Sequence, residues 1–154
     1  MDKGIRSVDD ELQDVARSAI AIPGIASAAL FTVLPGRAQL RLAGAAGIEG
    51  EPLDRLSAAV LDPAHPIART LAEGTDSFDV LPMAPGGPRL RSHLAVRLTG
   101  AGAPTCVGVL AVAHENPVDD ATRRALREAA DRAGLAAATT ASSISDAGDT
   151  SGGR

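Results

Sequence analysis

The sequence predicts an α+β domain built around antiparallel strands, and three observations carry that expectation. Apolar residues alternate with other residues in two late segments, Leu94-Val96-Leu98 and Val107-Val109-Ala111, as sheet strands require. Apolar residues recur at steps of three and four near both ends of the chain, as helices require. Between these segments, Gly and Pro clusters mark turns.

Taken in order, Ser7 and Asp10 form a variant of the capping box, and Ile5, Val8, Leu12, Val15, Ala19 and Ile22 make one helical seam. Pro23-Gly24 ends it. From Ser27 to Ala43, two apolar stretches flank Pro35-Gly36-Arg37 and predict a β-hairpin. The Gly- and Ala-rich run from Gly44 to Glu51 reads as a loop, and Leu53, Leu56, Val60 and Leu61 as a short helix. His65 to Gly74 has proline in a first turn and glycine at the exit, which predicts two helical turns. Phe78 to Leu81 reads as a strand and Ala84 to Pro88 as a loop. Gly100 to Pro104 turns the chain between the two alternating strands. Pro117 opens a helix over 118–138 with Asp119 and Asp120 in its first turn, and Asp119–Arg123 and Glu128–Arg132 form pairs four apart. From Thr139 the composition turns to Ser, Thr, Asp and Gly without periodicity. The expected organisation is therefore an extension over 1–6, one domain over 7–138 and a disordered tail over 139–154.

A chain of 154 residues with 45% hydrophobic and 22% charged residues can bury one core. It holds two Phe and neither Tyr nor Trp. Arg outnumbers Lys 14 to 1, which together with abundant Ala, Gly and Pro suggests a GC-rich bacterial genome. The net charge is −4 and the Arg residues are interleaved with Asp and Glu, which argues against a nucleic-acid surface. The start shows no signal-peptide pattern and the apolar runs are too short to span a membrane, so the expected location is the cytoplasm. One cysteine, Cys106, excludes an internal disulfide.

The order of elements resembles a GAF domain, and local wording adds to the likeness. Ser92-His93-Leu94-Ala95-Val96-Arg97-Leu98, then Gly108-Val109-Leu110-Ala111-Val112, then a helix ending in alanines, look like that family's closing half. His65 to Gly74 followed by Phe78-Asp79-Val80 is similar to the helix and strand that precede it. The resemblance spans 9–138. It implies terminal helices on one face of the sheet and a ligand pocket on the other, roofed by short helices and loops. It also implies no particular ligand: no bilin, haem or metal signature is present, and one cysteine does not match relatives that reduce free methionine sulfoxide.

His65, His93 and His114 lack the close spacing of a metal motif. Their simpler reading is that His65 caps a helix while His93 and His114 face water at strand ends. In the resembling pocket, Arg69, Arg91 and Ser92 could hold an anionic group by forked hydrogen bonds, with His65, His93 and Met83 beside them. Cys106 reads as an inert small hydrophobe on a strand. The terminal helices offer a homodimer seam at Val8, Leu12, Val15, Ala19, Leu126, Ala129 and Ala133, unless both helices simply cover their own sheet. The expected function is a non-catalytic sensory or regulatory module in signal transduction that binds a small molecule or a partner protein. The alternatives are a ligand-free dimerisation or scaffold domain, and a small enzyme on the same fold.

Overall fold

The computed structural model describes residues 8–33, 40–78, 90–98, 105–114 and 117–152. Its elements run α1 (Val8–Ile20), β1 (Ile25–Val33), β2 (Leu40–Ala46), α2 (Glu51–Ala59), α3 (Pro66–Glu73), β3 (Leu90–Leu98), β4 (Thr105–His114) and α4 (Asp120–Gly152). The four strands form one antiparallel sheet in the order β2-β1-β4-β3. Ser77 adds an isolated bridge outside β3, pairing with His93. Ser7, the turn Pro35-Gly36-Arg37, and the segments Asp79–Leu81, Ala84–Pro88 and Gly100–Pro104 lie outside the described residues.

Because successive strand residues point to opposite faces, the sheet makes two cores. Ala28, Leu30, Leu94, Val96, Leu110 and Val112 face α1 and α4, while Ala29, Phe31, Leu90, Val109 and Ala111 face α2 and α3. This explains why β1 and β4 read as nearly continuous apolar runs: they are central strands covered on both sides. On the first face the helices contribute Leu12, Val15, Ala16, Ala19, Leu126, Ala129, Ala130, Ala133 and Ala136, all buried within the chain. The predicted dimer seam is thus an intramolecular one, because α1 and α4 need the same apolar stripe to seal their own sheet. The side chain of Val8 is outside the described residues.

Alanine in these helices contributes only about 0.8 kcal/mol of burial per methyl group, against roughly 2 kcal/mol for a leucine, but it lets the helix sit close. The closest approach is at Gly134, where a Cβ would lie 2.3 Å from the carbonyl oxygen of Arg97. Gly44 plays the same part beneath α1, since a Cβ there would lie 2.9 Å from Gln13 Cα. That contact corrects the reading of Gly44 onward as loop. β2 continues to Ala46 because the Gln13 carboxamide pairs with Ala45, donating to its carbonyl at 2.5 Å and accepting from its N–H at 2.9 Å. The side chain supplies the ladder hydrogen bonds that an edge strand otherwise lacks.

At the other end, Asp119 caps α4 by accepting from the Thr122 N–H at 2.7 Å. The helix then runs to Gly152, so the stretch from Thr139 expected to be unstructured is helical backbone. Once the packed turns have paid the nucleation cost, each further residue adds one hydrogen bond, and this stretch contains no proline to stop it.

Candidate functional site

The short helix α3 carries His65 at its N-cap over the face opposite α1 and α4, the face to which His93 of β3 also turns. Its first turn begins with proline, and His65 at the N-cap accepts from the Ile67 N–H through Nδ1 at 3.2 Å. Its end is set by Gly74, whose φ of 69° is the left-handed conformation that glycine adopts without a Cβ clash. Ile67 and Thr70 anchor the underside. Arg97 on β3 then ties down the far end, donating from Nε and Nη2 to the Gly74 carbonyl at 3.1 and 2.7 Å.

His93 lies under this helix on β3, opposite Ala111 in the ladder. Its backbone is clamped on the other side by Ser77, with hydrogen bonds of 2.7 and 2.8 Å. The ring is 2% exposed. Nε2 stands 2.9 Å from the Leu90 carbonyl, and a carbonyl only accepts, so Nε2 carries the hydrogen. Nδ1 is then a bare lone pair, buried and without a hydrogen-bond partner. Burial pushes the His93 pKa down to about 4; the Leu90 carbonyl opposes this, and His65 stands near enough for its charge to push the same way. His65 is itself lowered by burial, against the pull of Asp62.

The remaining sequence candidates are placed as follows. Arg69 is 65% exposed on the outer side of α3 and lies 3.6 Å from Glu73, so it does not turn in toward His93. Arg91 is the extra residue of a β-bulge between Leu90 and Ser92, half-buried. The bulge sends Ser92 to the opposite face, where its Oγ lies 2.8 Å from His114 Nε2 in the core under α1 and α4. Met83 lies outside the described residues. The six residues therefore divide: His65 and His93 lie on the roofed face of the sheet, whereas Arg69 points outward and Ser92 faces the other core. The expectation that His93 and His114 face water is corrected, since they are 2% and 3% exposed and strand alternation turns each into a core.

Cys106 is half-buried on β4, with its thiol 3.4 Å from the Gly108 carbonyl. Burial raises its pKa and so lowers the thiolate fraction. Among the described residues no group of three His, Cys, Asp or Glu could hold a metal ion. Sequence reading missed the polar network at the β3 edge. Asp76 accepts from the Ala95 N–H at 2.9 Å and from Arg127 at 2.6 Å, while Arg127 donates to the Ala95 carbonyl at 2.6 Å. Nearby, the Arg123 guanidinium lies 4.8 Å over the Phe78 ring. Nothing in the spacing of Asp76, Ala95 and Arg127 announces that contact. An open cleft of about 580 Å³ lies at the other edge, lined by Gln13, the 42–49 segment and Leu53.

No family model matches the sequence, and no curated protein matches it. Solved structures do match. The GAF-B domain of DevS from Mycobacterium smegmatis aligns with a TM-score of 0.66 at 17% identity, covering 90% of this chain and 98% of that one. The GAF domain of a phosphoenolpyruvate-protein phosphotransferase from Acinetobacter gives 0.65 at 14% identity, covering 90% and 86%. A free methionine-R-sulfoxide reductase from Neisseria meningitidis, solved with its substrate, gives 0.53 at 19% identity, covering 83% and 78%. The fold of this chain is GAF-like, and proteins that share it include both GAF domains of larger proteins and a free methionine-R-sulfoxide reductase.

Proposed function

We propose that the chain is a non-catalytic sensory or regulatory module that takes a small molecule beneath α3 and passes the change on to a partner protein. The observation that carries this reading is the buried Nδ1 of His93, an acceptor with nothing to accept from, on the roofed face of the sheet. Buried polar groups are ordinarily paired, so an orphan that the fold nonetheless holds rigidly marks a place completed from outside. The helix above it is short and is tied at its end through the Arg97–Gly74 contact. Burial raises the Cys106 thiol and so lowers its thiolate fraction, which supports binding rather than turnover at that cysteine. No helix among the described residues is long and apolar enough to cross a membrane, in keeping with work in the cytoplasm. A homodimer, if the module forms one, must use a surface other than the α1–α4 seam.

A second reading is favoured by a specific observation: Phe31, Val60 and Ile67 are almost fully buried on the roofed face, so the chain's own side chains fill much of it. A ligand-free scaffold would look this way. Native mass spectrometry of protein purified from its own host, set against the same sample denatured, separates the two. An extra mass that is lost on denaturation, and lost in His93→Phe, supports the sensor; a clean apo mass supports the scaffold.

A further inference from the structure

Resting on the reading that α3 covers a ligand, the donor and acceptor pattern of the two histidines constrains what that ligand is. His93 Nε2–H is committed to the Leu90 carbonyl, so the ring presents only the lone pair of Nδ1. His65 is the mirror case. Its Nδ1 is committed to the Ile67 N–H, so in the neutral ring the hydrogen sits on Nε2, on a half-buried side chain whose charge is felt at His93. The two rings together offer one acceptor and one donor.

From this geometry we infer that the bound molecule is uncharged and presents an O–H or N–H to His93 Nδ1, as an amide, a lactam or an alcohol does. An anion with no O–H or N–H of its own, such as a simple carboxylate, meets the wrong partner. It could pair with Nδ1 only by protonating the ring, and with the His93 pKa near 4 the protonated form at pH 7 is roughly a thousandth of the population, which weakens binding by roughly a thousandfold. The arginine that could have neutralised it, Arg69, points outward to Glu73. The apolar neighbours Ile67, Leu90, Ala111 and Ala113 likewise favour a neutral guest. This replaces the anionic ligand expected from the arginines in the sequence.

The test uses the whole chain labelled with 15N at histidine, with His65→Gln and His93→Gln spectra for assignment. At pH 7.5 the apo protein should show His93 Nδ1 as an unprotonated nitrogen. Titration with 2-pyrrolidinone and with phenol should move that signal upfield along saturable curves, while acetate and nitrate at the same concentrations leave it in place. A protonated Nδ1 in the apo protein, a response to the anions, or no response to either neutral probe because a permanent water occupies the site, overturns the inference. Should the mass experiment reveal a bound anion, the sensor reading stands and this inference falls; should the protein be apo and every probe silent, both fall.

Discussion

The two faces of the sheet treat a buried histidine in opposite ways. Under α1 and α4, His114 is met by Ser92 Oγ at 2.8 Å, within a core of small residues closed to the point that Gly134 has no room for a methyl group. Under α3, His93 has one nitrogen met by Leu90 and the other by nothing, beneath a helix of eight residues. Close packing and satisfied polar groups make a face rigid and specify one arrangement; an unsatisfied group beneath a short element costs stability and leaves something for a ligand to supply. The contrast teaches that the α1–α4 side is closed by its own side chains, whereas the α3 side holds a buried polar group that the proposed ligand would complete.

The comparison breaks first at Gly134. Gly134→Ala places a methyl against the backbone of Arg97, which cannot move aside as a side chain could, and should cost about 3 kcal/mol in urea unfolding. A loss below about 1 kcal/mol would mean that the sealed face is looser than described.

A pH series tests the other face. The His93 pKa falls from its ordinary 6.5 to about 4, so the folded state favours the neutral ring. The unfolded chain binds the proton more readily, and stability is therefore complete above pH 6.5 and is lost as pH falls toward 4. Wild-type protein should lose on the order of 3 kcal/mol more between pH 7 and 4 than His93→Phe does, by chemical denaturation at each pH. Parallel curves would show that the ring is not buried neutral. His65, lowered in the same direction, adds to the slope that remains in the variant.

Two substitutions sharpen the contrast directly. Ser92→Ala removes the hydroxyl that meets His114 Nε2 in a core and should cost about 2 kcal/mol, whereas His93→Phe at pH 7.5 removes the orphaned Nδ1 along with the Nε2–H bond to Leu90, two terms that offset, and should change stability by less than about 1 kcal/mol. Equal costs would erase the distinction between the faces. The smallest effect concerns the β2 edge, which α1 guards. Gln13→Ala should cost about 1 kcal/mol and speed hydrogen exchange at the Ala45 amide, and unchanged exchange there would show that the carboxamide does not hold the edge.

Much of this architecture was legible in the chain. The hairpin, the limits of α3 at His65 and Gly74, the alternating strands and the two amphipathic terminal helices all follow from periodicity and from Pro and Gly placement, since these depend on neighbours one to four residues away. The continuation of β2 through Gly44 to Ala46 was not legible, because it depends on a side chain of α1 reaching across to the edge. The candidate site was legible only as a set of residue types. His65 and His93 stood among the candidates, but so did Arg69 and Ser92, which a helix face and a one-residue bulge direct elsewhere.

By itself, then, the sequence determined the class of fold and the order of most of its elements. Those properties are set by local backbone preference and by the period of the apolar pattern. Tertiary structure alone decided that the helical seam is consumed inside the chain, that Ser92 and His93 face opposite cores, and that the ring of His93 keeps a free lone pair. Each of these turns on a hydrogen-bond partner or a packing surface brought in from a distant segment. A pattern of single residues holds no record of which segments will meet.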